Sequence, residues 1–281
     1  MLSYRHAFHA GNHADVFKHV VLLQLLRYLN QKDKPYWFID THAGAGSYSL
    51  TKGYATQVAE FKDGIARLWQ RDDLPPAVND YVELIRAANP DGVLRHYPGS
   101  PRVALAAMRD IDRLRLFELH PADCNLLARN LADAARRVLI QHADGLAGLK
   151  ALLPPPPRRA LTLIDPAYEV KTDYQHVVQS LRDALARFPG GVYALWYPLL
   201  SRPEAQKLPG KLRLLQPKSW LDASLRVKAP GSDGFGMHGS GMFIINPPFT
   251  LRATLQEVLP WLARSLAQDE GAGFALDSHE T

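Results

Sequence analysis

The chain has 281 residues, is 47% hydrophobic, and carries 33 lysines and arginines against 28 acidic residues, a formal net charge of +5. This length and composition favour one large α/β domain over a disordered chain, and the single cysteine, Cys124, excludes an internal disulfide and a cysteine-rich zinc site. The excess of basic residues modestly favours a polyanionic partner.

The first predicted element is a helix over residues 13–30, preceded by a histidine-rich segment. Apolar residues recur at helical spacing, Asn12 is placed to cap the first turn, and Asp15 lies in that turn. The segment YRHAFHAGNHADVFKH contains four histidines: His6, His9, His13 and His19. Neither a signal-peptide pattern nor an apolar run of membrane-spanning length occurs, so we expect a cytoplasmic protein with no membrane partner.

Short apolar strands then alternate with helical stretches. The predicted strands are residues 35–40, 113–119, 136–142, 159–165, 191–198 and 241–248. Helical patterns between them include residues 122–135 and 174–188. This alternation predicts a doubly wound parallel sheet with helices on both faces.

The long interval between the first two strands breaks the alternation. Residues 53–98 contain the helical patterns FKDGIARLWQ and AVNDYVELIRAA. We therefore predict a single domain, residues 1–281, with a small helical insertion over residues 53–98 after the first strand.

Ligands of open α/β sheets bind beyond the carboxyl ends of the strands, so the residues there are the first candidates for a site. The first strand leads into DTHAGAG, where Gly44 lets the backbone approach a ligand, although a tight structural turn is an alternative. After the second strand, Glu118 is suited to accept hydrogen bonds from ribose hydroxyls. After the third, Asp144 is suited to an adenine amine or to capping the next helix.

The fourth strand ends in Asp165-Pro166-Ala167-Tyr168, which nearly matches the DPPY motif of amino-group methyltransferases. An exocyclic adenine amine is a poor nucleophile because its lone pair is delocalised into the ring. Asp165 and the Pro166 carbonyl can accept hydrogen bonds from that amine, and Tyr168 offers a ring on which a base can stack. A plain turn after the strand is the alternative.

A second motif, Asn246-Pro247-Pro248-Phe249, also fits the pattern of such enzymes. It follows the last predicted strand rather than the fourth. Because the glycine loop, Glu118, Asp144 and Asp165 follow successive strands in order, we interpret the second motif as a strand terminus.

Several segments together resemble one family along most of the chain. They are MLSYRH, the HAGNHADV and KH segments, DTHAGAG, YPGSP, ELHP, ADG, DPAY, WYP and INPPF. They are similar to the bacterial 23S ribosomal RNA adenine-N6 methyltransferases of the J type, which act on adenine 2030. The resemblance implies a class I S-adenosylmethionine-dependent methyltransferase fold, which is Rossmann-like.

The resemblance also implies roles for individual residues. Asp165 would be the catalytic acceptor, with Pro166 and Tyr168 completing the catalytic motif, and Tyr4 would contact the RNA. The S-adenosylmethionine pocket would be formed by His19, His42, Ser100, Glu118, Asp144, Gly145 and Asp165, to which the glycine loop after the first strand adds Gly44. This chain departs from the family pattern at Ala167, where the second proline of DPPY is expected; we still expect activity, from a less rigid loop.

The four histidines raise the question of a metal site. No cysteine or carboxylate-rich motif accompanies them, so we expect no metal. We expect His6 and His9 to be exposed on a terminal arm, and His19 to face the cofactor. Lys18 is expected to be a solvated helix residue rather than a phosphate contact.

The favoured function is methylation of an adenine N6 in 23S ribosomal RNA during ribosome biogenesis, with S-adenosylmethionine as cofactor, by a monomeric enzyme. Two alternatives are a DNA adenine-N6 methyltransferase, which would use the same chemistry, and a non-catalytic RNA-binding assembly factor. The absence of a large target-recognition domain argues against the first. A dehydrogenase is disfavoured because Ser49 occupies the third glycine position of the dinucleotide fingerprint.

Overall fold

The central element of the fold is an eight-stranded sheet. The structure, a computed structural model, describes residues 5–52, 57–231 and 236–280. The strands are β1 (Trp37–Asp40), β2 (Ser47–Ser49), β3 (His96–Pro98), β4 (Arg113–Phe117), β5 (Val138–Gln141), β6 (Ala160–Ile164), β7 (Val192–Leu199), β8 (Trp220–Arg226), β9 (Gly239–Ile245) and β10 (Gly273–His279). The helices are α1 (His13–Asn30), α2 (Pro76–Ala87), α3 (Ser100–Ala107), α4 (Pro121–Asn130), α5 (Gly145–Leu149), α6 (Asp173–Arg187), α7 (Pro203–Arg213) and α8 (Leu251–Ser265).

The strand order is β10-β8-β9-β7-β6-β1-β4-β5. The five strands from β7 to β5 in this order are parallel, whereas β9, β8 and β10 are joined to them by antiparallel pairing. The predicted class of fold is therefore confirmed. The expectation of a wholly parallel sheet is wrong for the side formed by β9, β8 and β10.

Two apolar cores cover the two faces of the sheet. Because successive strand residues point to opposite faces, Phe38 packs into a core with α1, α3 and α8, while Ile39 packs into the other with α6 and α7. This is the doubly wound arrangement that the sequence predicts. Within the described ranges, no helix is both long and apolar enough to cross a membrane.

Helix α1 begins and ends where the sequence predicts. The side chain of Asn12 accepts hydrogen bonds from the backbone N–H groups of Ala14 and Asp15, as expected of an N-cap. The helix is in contact with the sheet at β6 and β9 and with α2, α3 and α8. Because it is covered on several sides, even its charged residues Asp15 and Lys18 are buried.

The segment after β1 is only partly helical. Residues 60–63 and 65–67 form 3₁₀ turns, α2 follows, and β3 pairs with β2 in a separate antiparallel sheet. Residues 53–56, at the start of the predicted insertion, lie outside the described residues. Helix α2 shares the apolar core of α1 through residues such as Tyr81.

Strands β8 and β10 are not anticipated by the sequence reading. β8 has a period-two pattern in which Leu221, Ala223 and Leu225 are buried, so a signal for it was present. β10 lies at the edge of the sheet, and most of its side chains are exposed or half-exposed, so it lacks an apolar periodicity.

The direction of β9 separates the two candidate motifs. β9 runs antiparallel to β7, with Ile245 opposite Tyr193 near the start of β7. Asn246 therefore lies at the edge of the sheet opposite to Asp165, where its side-chain amide donates to the carbonyls of Pro189 and Gly191 at 2.8 and 2.7 Å. This placement supports its interpretation as a strand terminus.

Candidate active site

A cavity of about 370 Å³ lies beyond the carboxyl ends of the parallel strands. This is where open α/β sheets bind ligands, and the volume is within the range of small-molecule sites. All the residues that the sequence assigned to the cofactor line it: His19, His42, Gly44, Ser100, Glu118, Asp144, Gly145 and Asp165. Pro166 lines it as well, whereas Tyr4 lies outside the described residues.

The loop after β1 is organised by Asp40, a residue that the sequence reading did not assign to the site. This fully buried carboxyl group accepts hydrogen bonds from the Ser100 hydroxyl at 2.6 Å and from the backbone N–H of His42 at 3.1 Å. Burial raises the pKa of Asp40 to about 7. The two hydrogen bonds favour the ionised carboxylate and so partly offset the effect of burial. Ser100 thus fixes the start of the cofactor loop through Asp40.

Glu118 is fixed at the end of β4 by two backbone groups. One carboxylate oxygen accepts from the N–H of Gly44 at 2.8 Å, and the other from the N–H of His120 at 2.7 Å. Burial raises the pKa of Glu118. Each oxygen retains a lone pair, so this carboxylate can still accept from the two hydroxyls of a ribose.

Asp144 caps α5, one of the two roles that the sequence left open. One of its oxygens accepts from the N–H groups of Leu146 and Ala147 at 2.9 and 3.2 Å. The other makes no hydrogen bond within the described residues and lies in the wall of the cavity, so both roles are compatible. Gly145 is required by packing, because a Cβ there would lie 2.1 Å from the Thr41 carbonyl oxygen.

His19 contributes a neutral imidazole to the cavity. Its Nδ1 is 2.8 Å from the Tyr97 hydroxyl, and within the described chain its buried Nε2 has no hydrogen-bond partner. Burial lowers the pKa of His19 to about 3, so the ring is uncharged at neutral pH. An unsatisfied polar atom in this wall, together with the fixed Glu118 carboxylate, fits a polar cofactor such as S-adenosylmethionine.

The catalytic candidate Asp165 follows β6 directly and forms an ion pair with Lys18. The Lys18 ammonium group is 2.6 Å from one Asp165 oxygen and 2.8 Å from Asp15. The expectation that Lys18 is solvated is therefore wrong, because α1 is enclosed and its lysine is 4% exposed. Asp15 and Lys18 are three residues apart on α1, so helical spacing alone could have indicated their pairing.

The three residues after Asp165 have different environments. Pro166 is buried, Ala167 is exposed, and Tyr168 adopts a left-handed backbone conformation with φ of 52°. The Tyr168 ring is 2% exposed and packs against Tyr174, while its hydroxyl donates to the Trp196 carbonyl at 3.0 Å. The ring therefore offers less surface for base stacking than the sequence motif suggests.

A second cavity, of about 610 Å³, adjoins the first. The residues that line both are His6, Lys18, Asp165, Ala167 and Glu169. The walls of the second cavity also include the aromatic and apolar side chains of Tyr168, Trp196, Pro198, Leu200 and Met237. Asp165 thus lies where a methyl donor in one cavity and an acceptor in the other would meet.

The histidine segment is more ordered than a terminal arm. His6 lies 2.9 Å from Asp15, and His9 lies 3.0 Å from Glu60, so the expectation that both are simply exposed is wrong. Burial lowers the pKa of His13 to about 4. In residues 5–52, 57–231 and 236–280, no group of three or more histidine, cysteine or acidic side chains is placed to hold a metal ion.

Comparisons with known proteins agree on one family. A family model described as "Ribosomal RNA large subunit methyltransferase D, RlmJ" matches residues 33–276. Proteins called "Ribosomal RNA large subunit methyltransferase J" match at 47% identity in Escherichia coli, covering 98% of this chain and 97% of that protein, and at 43% in Haemophilus influenzae, covering 97% and 96%. A crystal structure of a Legionella pneumophila protein, LPL1258, is 37% identical with a TM-score of 0.89, covering 96% of this chain and 98% of that one.

Proposed function

The chain belongs to the RlmJ family of ribosomal RNA large subunit methyltransferases, and from this premise we propose that it methylates N6 of an adenine in 23S ribosomal RNA, expected to be adenine 2030. It is an S-adenosylmethionine-dependent methyltransferase with a class I fold. Asp165 lies at the junction of the two cavities, and this placement is the main reason to infer that the methyl group is transferred to an amine.

We assign the first cavity to S-adenosylmethionine and the second to the target adenosine. When bound, the cofactor supplies a methyl group on a positively charged sulfonium, which makes that methyl electrophilic. Glu118 would accept from the ribose hydroxyls, Asp144 would accept from the adenine amine of the cofactor, and His19 would offer its Nε2. His42, Gly44, Ser100 and Gly145 complete the walls.

Asp165 and the Pro166 carbonyl act on the acceptor. Both accept hydrogen bonds from the exocyclic amine, which draws its nitrogen towards tetrahedral geometry and directs its lone pair at the methyl group. Methyl transfer would place positive charge on the nitrogen, next to the Asp165 carboxylate, and the nitrogen would then lose one of its N–H protons to solvent. The enzyme thus works by alignment and electrostatic stabilisation.

We propose that Tyr4 contacts the RNA, in keeping with the placement of Arg5 and His6 near the cavities. We propose that residues 53–98 form an insertion within one methyltransferase domain. We also propose that the enzyme is monomeric and works in the cytoplasm, where ribosomal RNA is modified.

The proposed function is tested by transfer of tritiated methyl groups from S-adenosylmethionine to transcribed 23S ribosomal RNA, with duplex DNA as the competing substrate. We expect a single N6-methyladenine in the RNA and no incorporation into DNA. Mapping the same nucleotide in cells that lack the protein should show an unmodified adenine. Methylation of DNA alone would contradict the proposal, as would cofactor binding by calorimetry without transfer to either substrate.

Arg202 and Lys228 line the second cavity, and neither forms an ion pair with any residue that the structure describes. We expect them to contact phosphates on either side of the target nucleotide. Replacing both with alanine should raise KM for RNA by roughly tenfold. It should also reduce the slope of the logarithm of the binding constant against the logarithm of salt concentration by about one for each lost phosphate contact, because counterion release accompanies such contacts.

The same double variant should keep its affinity for S-adenosylmethionine and its kcat at saturating RNA. A matched control replaces Lys34 and Arg187, two exposed basic residues at the opposite edge of the sheet. If both double variants change KM equally, the effect reflects net charge and the proposed contacts are wrong.

A further inference from the structure

Asp15 is a fully buried carboxylate that the methyl-transfer chemistry described above does not use. It is 1% exposed, lies in the first turn of α1, and makes three polar contacts. One oxygen is 2.8 Å from the Lys18 ammonium group, and the other accepts from the backbone N–H of Gly11 and lies near His6, both at 2.9 Å. It therefore connects the segment before α1 with the ion pair at Asp165.

We propose that Asp15 is a positioning residue for methyl transfer, which acts on Asp165 through Lys18. The inference rests on the proposed function and names a residue beyond those assigned to the cofactor and to the amine. Its basis is the chain of contacts Asp15–Lys18–Asp165, in which one ammonium group lies between two carboxylates.

The charge of this group explains why two carboxylates are needed. Within this chain of contacts Asp15 and Asp165 contribute two negative charges and Lys18 one positive charge, a formal sum of −1 when the His6 imidazole beside Asp15 is neutral. If Lys18 had only Asp165 as a counter-ion, the pair would be neutral, and the ammonium group would compete fully with the amine for the Asp165 oxygens. With Asp15 sharing the ammonium group, Asp165 faces the acceptor as part of an anionic group.

An anionic group at this place favours the transition state over the ground state. Positive charge reaches the amine nitrogen only as the methyl group transfers, so the net negative charge next to it lowers the barrier of that step. In addition, the two contacts fix the position of Lys18, which is otherwise a flexible side chain with three donors. Asp15 thus affects kcat rather than the binding of either substrate.

The electrostatic environment agrees with this geometry. Burial by itself would raise the pKa of Asp15, but the neighbouring His6 and Lys18 hold it well below the usual range of an aspartate. Burial would likewise lower the pKa of Lys18, yet the two carboxylates raise it above its ordinary value. Both groups are therefore charged at neutral pH, as the charge argument requires.

A purely structural role for Asp15 is the competing interpretation. An acidic residue in the first turn stabilises a helix through its favourable interaction with the helix dipole, and the contact with Gly11 orders the segment before α1. Such a role would change folding stability and the binding of ligands. It would leave kcat of the folded enzyme unchanged at saturating substrate concentrations.

The test is a double-variant cycle of Asp15→Asn and Lys18→Met, with kcat, KM for both substrates and thermal unfolding measured for each protein. We expect Asp15→Asn alone to lower kcat on the order of a hundredfold with KM nearly unchanged. In the Lys18→Met background the same substitution should change kcat by less than about threefold, because the ammonium group that links Asp15 to Asp165 is then absent. Asp15→Ser serves as the second variant if Asp15→Asn does not fold.

The matched control is Asp112→Asn. Asp112 is also a fully buried aspartate that pairs with a cation three residues away, Arg109, but it precedes β4 at the opposite edge of the sheet. This variant should lose stability and keep its kcat. An unchanged kcat in Asp15→Asn, or an equal loss in both backgrounds, would overturn the inference.

The unfolding measurements separate this inference from the proposed function. If the unmodified enzyme methylates no RNA, the proposed function fails, and the unfolding cycle alone decides the coupling of Asp15 to Lys18. We expect strongly non-additive changes in the free energy of unfolding. Additive changes would overturn the inference, whatever the activity.

Discussion

Replacement of Asp165 by alanine will abolish methylation of 23S ribosomal RNA and leave the fold intact. The carboxylate is the group that accepts from the amine, and its loss removes both the orientation of the lone pair and the stabilisation of charge on nitrogen. We expect kcat to fall by at least about a hundredfold to a thousandfold, the usual effect of removing one such group.

The stability of this variant should change little, because Lys18 keeps Asp15 as its counter-ion and is not left buried without a partner. The measurements are single-turnover methyl transfer, thermal unfolding and cofactor binding by calorimetry. Substantial residual transfer in a folded variant would show that Asp165 is not the acceptor.

Replacement of Lys18 by methionine will reduce both activity and stability. It leaves Asp15 and Asp165 without the ammonium group that both contact, and breaking a buried pair in this way costs about 3–5 kcal/mol of stability. Methyl transfer should fall by about a hundredfold or more, because the position of Asp165 is no longer fixed.

The loss of stability will depend on pH. In the unmodified protein the pKa of Asp15 is held well below its ordinary value, so its stabilising contribution is complete above the unfolded pKa and is lost as pH falls through the folded pKa. The difference between the two proteins in urea unfolding should therefore be largest above pH of about 4 and shrink below it.

Arg109→Met is the matched control, because it removes the cation that pairs with the buried Asp112. It should lower stability without lowering kcat. A Lys18→Met variant as stable and as active as the unmodified enzyme would contradict the buried ion-pair arrangement.

The sequence predicts most of what positions the site. The boundaries of α1, its Asn12 cap and the succession of the central strands along the chain follow from local patterns, since hydrophobic periodicity and capping are encoded by neighbouring residues. The candidates Glu118, Asp144 and Asp165 could be placed at one edge because parallel strands bring their carboxyl ends together.

What the sequence does not predict depends on contacts between distant segments. Lys18 looks like a solvated helix residue until α1 is enclosed by the sheet and other helices. Its partner Asp165 is 147 residues away, so nothing local indicates the pair. The antiparallel addition of the edge strand β10 is likewise a matter of tertiary pairing, because β10 lacks an apolar periodicity, unlike β8.

The buried histidines also limit how the enzyme responds to acid. Burial lowers the pKa of His19 to about 3 and of His13 to about 4, so neither imidazole gains a proton between pH 5 and 8. Unprotonated imidazoles carry no charge, so His19 in the donor cavity and His13 in the second cavity leave the local electrostatic potential unchanged over this pH range. The histidine-rich segment has the composition of a pH sensor, yet at these two positions its side chains stay neutral and serve as uncharged parts of the cavity walls.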